Sequence, residues 1–179
     1  AVIATGREDA VLRLRELAAN KVVPLPRGQL PVHVSGTAKP RHRIAFTFAG
    51  QGGQWWKMAR RLLQEDDAFS GVFNRFDDLF TELSGWSIKR ELLRDENETR
   101  LGESLVAQPG IFGVEIGLAA AWAARGVHPD VVIGHSFGEA SAAHVAGALS
   151  LEEATRLISV RAQMHEQVGP GGKMIAVGL

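Results

Sequence analysis

A serine stands between two glycines in residues 131–139, VVIGHSFGE, where an apolar, β-branched run meets an Ala-rich segment. The pattern G-x-S-x-G lets a serine occupy a cramped turn from a strand into a helix, with its hydroxyl exposed above the sheet. Ser136 is therefore either a nucleophile or a small residue that merely fits such a turn. The strand before it and the helix after it are the context that the motif requires, and they favour the nucleophile.

Strand-like and helix-like patterns alternate along the rest of the chain. Residues 44–50 predict a second short strand, and amphipathic or apolar helices are predicted between the strands and after them. One long helix ends at Gly126, and another begins after Ser150 as its N-cap. The inward face of a further helix would consist of Leu62, Leu63, Phe69, Phe73, Phe76, Leu79 and Phe80. This order predicts an α/β fold with a parallel sheet covered by helices on both faces.

Residues 1–43 differ in composition from the rest of the chain. They begin with a predicted strand that ends at Gly6, continue with a helix, and pass into a proline-containing stretch without helical period, which is typical of a connector. We therefore predict a boundary near residue 43 and one main domain at residues 44–179. Because residues 169–179 predict the start of a new strand, we expect the fold in this chain to be incomplete.

Composition narrows the possible functions. Lys plus Arg and Asp plus Glu number 20 each, so no excess positive charge would attract nucleic acid. The chain has no cysteine, which excludes disulfides, thiolate metal sites and thiol catalysis. No stretch approaches the roughly 18 consecutive apolar residues of a membrane span, and the first residues do not resemble a signal peptide. We expect a cytoplasmic protein without a nucleic-acid or membrane partner and without a bound cofactor or metal.

Two loops could donate hydrogen bonds to an oxyanion. The amide of Phe137 follows the serine at a predicted helix N-terminus, where an unpaired N–H and the helix dipole favour negative charge. The glycine-rich residues 50–54, GQGGQ, follow the other strand and could bring Gln51 close to the same point. This loop could equally be a plain turn, whereas a phosphate-binding loop is disfavoured because no Lys-Ser or Lys-Thr follows at the required spacing.

Four ordered motifs together carry a family resemblance: GQGGQW, AQPGIF, GHSFGE, and HVAGALSLEEA followed by an arginine. They resemble the malonyl-CoA and acyl-CoA:acyl carrier protein transacylases, specifically the acyltransferase domains of modular polyketide synthases. The resemblance implies a hydrolase-like (patatin-like) α/β subdomain with a small ferredoxin-like subdomain, mostly beyond residue 179. It also implies that residues 1–43 are the end of the linker that joins a ketosynthase to its acyltransferase.

The resemblance assigns roles to individual positions. Ser136 matches the acylated nucleophile, and Phe137 with Gln51 matches the oxyanion hole. Gln108 matches a glutamine that lines the pocket, and Arg161 matches the arginine that pairs with the free carboxylate of a malonyl-type substrate. A guanidinium can hold a carboxylate through two parallel hydrogen bonds, which would select diacids. Without the resemblance, Arg161 would be read as a surface arginine on an amphipathic helix.

The general base is not evident in this sequence, although a nucleophilic serine needs one. His135 adjoins Ser136, but successive residues at a strand end point to opposite sides, so we expect His135 to be a packed turn residue that contributes at most to substrate binding. No supporting motif surrounds the remaining histidines: His33, His42, His128, His144 and His165. The resemblance places the base in a histidine beyond residue 179, so we expect this chain alone to be inactive.

Three departures from the family pattern affect the expected site. The family has serine or alanine where Gly53 stands, and it has glycine near Lys57. The resemblance therefore does not determine the geometry of this loop. Phe137 stands where methylmalonyl-selective domains have glutamine. Its bulk leaves less room for an α-branch, which makes malonyl the expected extender unit.

The expected activity is transfer of a malonyl-type acyl group from CoA to the phosphopantetheine thiol of an acyl carrier protein, through an acyl-serine, in polyketide biosynthesis. The implied partners are the carrier protein and the adjacent ketosynthase, within a homodimeric synthase. Two alternatives stay open at this point. One is a serine esterase or patatin-like hydrolase with the same serine turn, and the other is a noncatalytic scaffold segment of a synthase.

Overall fold

The computed structural model describes residues 6–19 and 43–168, and the chain divides into two compact units, Ala1–His42 and Arg43–Leu179. In the first unit, helix α1 spans Arg7–Ala18 and has no buried residue, and its apolar side chains Val11, Leu12 and Leu14 are exposed. The strand predicted before Gly6, the connector and the strand predicted at residues 169–179 lie outside the described residues.

The second unit alternates strands and helices in the predicted order. Its elements are β1 (Ala45–Phe48), α2 (Arg60–Glu65), α3 (Asp67–Ser84), α4 (Ile88–Leu92), α5 (Ser104–Ala124), β2 (Val131–Gly134), α6 (Gly138–Val145) and α7 (Leu151–Val168). The two predicted strands are confirmed, and they pair in parallel with Ala45 opposite Val131 and Phe48 opposite Gly134. The α/β class of the fold and its parallel sheet are therefore as predicted.

Helices cover only one face of this sheet within residues 43–168. Phe46, Phe48 and Val132 point inward, whereas Val131 and Ile133 are 51% and 55% exposed. The prediction of helices on both faces was therefore wrong for the described part of the chain. The reason is that the long helices between the strands pack mainly on one another: α5 lies against α3 and α7.

An aromatic core joins α3 to α5. Phe69, Phe73, Phe76 and Phe80 are all at most 2% exposed, which confirms the predicted inward face of α3 at these positions. Gly113 and Gly117 of α5 let this helix approach closely, because a Cβ at either position would come within 2.8 Å of a phenylalanine ring. Leu62, Leu63 and Leu79 of the predicted face are only partly buried.

Side chains cap the helices around this core. The Asp66 carboxylate accepts a hydrogen bond from the Phe69 N–H (2.9 Å) at the start of α3 and also binds Arg125 (2.6 Å). Ser150 and Glu153 form a reciprocal capping box at the start of α7, which confirms Ser150 as its N-cap. These caps fix where α3 and α7 begin, and α7 carries part of the site described below.

Helix α5 is long and apolar enough to span a membrane by length and composition, with a mean hydropathy of 1.4. Within the described residues, 61% of that window is buried against the rest of the protein. Its partners are α3, α4, α6 and α7, so it serves as the central helix of the second unit.

Candidate active site

Ser136 lies at a tight turn between β2 and α6. Its φ of 56° is in the left-handed region, which a non-glycine residue adopts only where the surrounding structure enforces it. A Cβ at Gly134 would lie 2.3 Å from the Glu139 Cα, and one at Gly138 would lie 2.5 Å from the Phe48 carbonyl oxygen. The two glycines of the motif therefore permit backbone contacts that no other residue would allow, and these contacts hold the serine in place.

Within the described residues, two backbone N–H groups near the serine are free to donate a hydrogen bond to a ligand. Phe137 is the N-cap of α6, and its N–H has no hydrogen-bond partner within the part of the chain that the structure describes. The same holds for the N–H of Gln51 in the loop after β1. This loop passes beside the serine, because a Cβ at Gly50 would lie 3.2 Å from the Ser136 Cβ. The two segments predicted to form an oxyanion hole thus lie on the two sides of Ser136.

The side chain of Gln51 is engaged elsewhere. Its amide exchanges hydrogen bonds with the Ser104 hydroxyl at 3.1 and 3.2 Å, and its Oε1 lies 3.4 Å from Gln108 Nε2. Both partners belong to the first turns of α5. The amide group therefore ties the loop to α5, which leaves the backbone N–H as the donor that Gln51 can offer to an oxyanion.

Arg161 reaches the serine from α7. Its Nη1 donates to the Gln108 Oε1 at 2.7 Å, and its Nη2 lies 3.4 Å from the Ser136 Oγ. The guanidinium also lies 5.6 Å from the centre of the Phe137 ring. Gln108 is 1% exposed, so it is a fixed anchor for this long side chain. Among residues 6–19 and 43–168 no carboxylate pairs with Arg161, so its charge is available to an anionic ligand.

A cavity of about 550 Å³ joins these groups. Its lining includes Gln51, Gln108, Ser136, Phe137 and Arg161, which are five of the six residues predicted for the site. The remaining residue, His135, also lines it and is exposed, so the expectation of a packed turn residue was wrong. The left-handed conformation of Ser136 explains the difference, because it ends the alternation of sides that a continuing strand would impose.

The cavity is also lined by Gly52 and Gln54, which belong to the glycine-rich loop predicted to approach the serine, and by His165, which sequence reasoning missed. His165 follows Arg161 by four residues on α7, so the helical period places both side chains on one face, and that spacing could have identified it. Neither His135 nor His165 makes a hydrogen bond to the Ser136 hydroxyl; within the described residues that hydroxyl contacts Arg161. No histidine among the described residues is therefore hydrogen-bonded to Ser136 as a general base.

The departures from the family pattern at Gly53 and Lys57 lie in the loop between β1 and α2. Lys57 has a φ of 75° and Ala59 a φ of 69°, so two non-glycine residues adopt the left-handed conformation there. Glycine adopts that conformation without steric cost, whereas lysine and alanine do not.

Beneath the loop that follows β1 lies a partly buried carboxylate that was not anticipated from the sequence. Glu115 of α5 accepts hydrogen bonds from the Ala49 N–H (2.7 Å) and from the Ser141 hydroxyl (2.6 Å). Burial raises the pKa of Glu115 from 4.5 to about 7, and the two hydrogen bonds oppose this rise only in part. No charged side chain among the described residues contributes to the shift.

No cluster of three or more histidine, aspartate or glutamate side chains that could hold a metal ion occurs within residues 6–19 and 43–168. Most acidic side chains of α3 are exposed, but Asp77 is only 8% exposed. Its carboxylate accepts hydrogen bonds from the Ser87 hydroxyl (2.8 Å) and the Lys89 N–H (2.9 Å) at the start of α4. Asp77 is therefore a structural cap.

Comparison with known proteins agrees with this geometry. Residues 45–179 match the acyl transferase domain family. The chain is 38% identical over 180 residues to erythronolide synthase EryA3 of Saccharopolyspora erythraea, an alignment that covers 100% of this chain and 5% of that protein. The chain thus spans a small part of a large multidomain relative.

Solved structures give the same result. The acyltransferase domain from module 8 of the salinomycin polyketide synthase has a TM-score of 0.78 at 36% identity, over 90% of this chain and 37% of that one. The acyl transferase domain of SpnD, in complex with 2-(pent-4-yn-1-yl)malonyl, has a TM-score of 0.71 at 26% identity, over 88% of this chain and 34% of that one. With the match over residues 45–179, these similarities show that the chain belongs to the acyl transferase domain family, in the group found in modular polyketide synthases.

Proposed function

We propose that Ser136 accepts a malonyl-type acyl group from CoA and passes it to the phosphopantetheine thiol of an acyl carrier protein. In the first step the Ser136 Oγ attacks the thioester carbonyl, its proton goes to a base, and CoA leaves as a thiol. In the second step the carrier thiol attacks the acyl-serine ester, the carrier thioester forms, and the serine hydroxyl is restored. Both steps pass through an oxyanion that the N–H groups of Phe137 and Gln51 would stabilise.

The observation that carries this proposal is the position of Arg161. Its guanidinium lies 3.4 Å from the serine oxygen, is held by Gln108 and has no carboxylate partner among the described residues. In a malonyl group the free carboxylate carbon is about 2.5 Å from the carbonyl that the serine attacks, by standard bond lengths. An acyl group on Ser136 would therefore bring its carboxylate within reach of Arg161. The malonyl derivative in the SpnD complex is an acyl group of this kind.

The two alternative functions explain this arrangement less well. A serine esterase for neutral substrates would not need an unpaired guanidinium beside its nucleophile. Holding such a charge in a cavity without an anionic partner is unfavourable. A noncatalytic scaffold segment would not need to hold Ser136 at a φ of 56°. Transfer rather than hydrolysis also requires that water be excluded from the acyl-serine.

The base and the extender unit complete the proposal. The proton acceptor is a histidine beyond residue 179, supplied by the remainder of the acyltransferase domain. The ring of Phe137 is 2% exposed and lines the cavity next to the nucleophile, so it would crowd an α-methyl group on the substrate. Malonyl is therefore the proposed extender unit rather than methylmalonyl. The carrier protein and a neighbouring ketosynthase would be further domains of a dimeric synthase that operates in the cytoplasm.

Replacing Arg161 with alanine tests the proposal. We expect the acylation rate of the full-length protein with malonyl-CoA to fall about 10- to 100-fold, because hydrogen bonds to a charged group are lost. Acylation by acetyl-CoA, which has no carboxylate, should not fall. The matched control is Arg156→Ala, an exposed arginine on the same helix. An unchanged preference for malonyl-CoA over acetyl-CoA in Arg161→Ala would overturn the proposed substrate class.

A further inference from the structure

Glu115 connects three elements of the site without touching the cavity that contains Ser136. It lies in the middle of α5, and its two carboxyl oxygens bind different segments. One accepts from the Ala49 N–H in the loop after β1, at 2.7 Å. The other accepts from the Ser141 hydroxyl in α6, at 2.6 Å. The side chain lines a separate cavity of about 220 Å³ between β1 and α5.

The two segments that Glu115 joins are those that carry the free N–H groups. Ala49 precedes Gln51 by two residues, and Ser141 follows Phe137 by four residues on the same short helix. The segments already touch through backbone, since a Cβ at Gly138 would lie 2.6 Å from the Ala49 carbonyl oxygen. The close approach at Gly138 and the carboxyl bridge at Glu115 therefore both determine the distance between α6 and the loop after β1.

From this arrangement we propose that Glu115 is a positioning residue, which sets the distance between the Gln51 and Phe137 N–H groups by holding Ala49 and Ser141 together. The effect of an oxyanion hole depends on donors that are fixed before charge develops. A loop held only at the end of β1 could move away from α6, and one of the two donors would then be lost to the oxyanion. The inference rests on the proposed role of Ser136 as a nucleophile.

The chemistry of the bridge predicts which substitution preserves it. Glutamine in place of Glu115 keeps an oxygen that can accept from the Ala49 N–H, and its NH₂ group can donate to the Ser141 hydroxyl, which is able to accept. Methionine has a similar length, but its sulfur is only a weak hydrogen-bond acceptor, so the Ala49 N–H would be left without a good partner. Ser141→Ala breaks only the contact to α6.

The test uses the full-length protein and two probes of Ser136. Malonyl-CoA reports acylation. A fluorophosphonate reports attack alone, because a serine O–P bond forms, the P–F bond breaks and fluoride leaves. We expect Glu115→Met to lower the rate constant for both probes about 10- to 100-fold, with the KM for malonyl-CoA changed less than about threefold. Glu115→Gln should restore both rate constants to within about threefold of the unsubstituted protein, and Ser141→Ala should give an intermediate loss.

Controls separate this role from a general loss of structure. Rate constants are measured in single turnover and normalised to the amount of serine that finally reacts, so a smaller folded fraction does not lower them. If Glu115→Met does not fold, the rate constants of Ser141→Ala and Glu115→Gln are compared instead, and a lower rate constant in Ser141→Ala supports the positioning role. Equal losses in the glutamine and methionine variants, or an unchanged rate constant in Ser141→Ala, would overturn the positioning role. A protein that reacts with the fluorophosphonate but not with malonyl-CoA would overturn the proposed substrate and leave the test of Glu115 in force.

Discussion

Glycines bring two pairs of elements into close contact in this chain, and the groups that they meet are different. At Gly113 of α5 the nearest atoms to an added Cβ belong to the rings of Phe73 and Phe76, at 2.8 Å. At Gly138 of α6 they are the backbone oxygens of Phe48 and Ala49, at the end of β1, at 2.5 and 2.6 Å. Rings can rotate or shift slightly, whereas a paired strand cannot. The first contact is therefore adaptable packing, and the second is a fixed geometry that determines where Ser136 lies.

This difference matches the distribution of polar groups. The inner face of α3 consists of phenylalanines whose neighbouring rings are stacked, tilted or edge to face, with centres 5.8 to 6.0 Å apart, and Phe76 packs edge to face on Phe112 of α5 at 5.1 Å. The turn region instead contains a left-handed serine, two free N–H groups and the carboxyl bridge of Glu115. The aromatic region stabilises the fold through burial, and the turn region uses part of that stability to hold an unfavourable conformation.

Substituting alanine for Gly138 should have the largest effect. The added Cβ would overlap with the Phe48 and Ala49 carbonyl oxygens, so α6 must move away from β1. We expect the free energy of unfolding to fall by at least about 3 kcal/mol and the reaction of Ser136 with a fluorophosphonate to be lost. Chemical denaturation and labelling measure the two effects. Wild-type stability in this variant would show that the contact is as adaptable as the aromatic one.

The carboxyl bridge gives a pH-dependent effect of intermediate size. The pKa of Glu115 is raised to about 7 in the folded protein, so its stabilising contribution is complete below about pH 4.5 and is lost as the pH rises through 7. Glu115→Gln removes this loss, and we expect equal stability of the two proteins at pH 5 and a more stable variant at pH 8.5, by at most about 3 kcal/mol. Thermal unfolding of both proteins at the two pH values measures this difference in stability.

The matched control for the pH effect is Glu139→Gln, the same substitution at an exposed position of α6. A Glu115→Gln variant whose stability relative to the unsubstituted protein is the same at both pH values would contradict the raised pKa.

Substituting alanine for Gly113 should have a smaller effect than the change at Gly138. The Cβ would lie 2.8 Å from atoms of two phenylalanine rings, which must shift to admit it. Alanine also favours the helix by about 0.5–1 kcal/mol, so we expect a net loss of about 1–2 kcal/mol. The control is Gly71→Ala in α3, where nothing lies within 4 Å of the added Cβ and stability should rise slightly. A larger loss at Gly113 than at Gly138 would reverse the comparison.

Local features of this fold could be predicted from the sequence because they depend on neighbouring residues. The inward positions of Phe69 to Phe80 follow from the helical period, the cap at Ser150 from its spacing to Glu153, and the turn at Ser136 from its glycines. Helix α6 ends at Val145, shortly before Gly147, whose φ is 77°. Such ends are decided by a single residue's conformation.

Contacts between distant residues could not be predicted from the sequence in the same way. The hydrogen bond from Arg161 to Gln108 joins residues 53 positions apart, and the one from Ala49 to Glu115 joins residues 66 apart. A pattern along the chain contains no information on which buried side chain meets which. The family resemblance indicated Arg161 and Gln108 as site residues, but nothing in the sequence pointed to Glu115 or to the capping role of Asp77.

Intact-protein mass spectrometry of the full-length protein after brief incubation with malonyl-CoA tests the central claim most directly. The account predicts one added malonyl group, located by peptide mapping on Ser136, released on addition of a phosphopantetheine-bearing carrier protein, and absent from Ser136→Ala. A protein that gains no malonyl group, or one in which Ser136→Ala still gains it, would contradict the account.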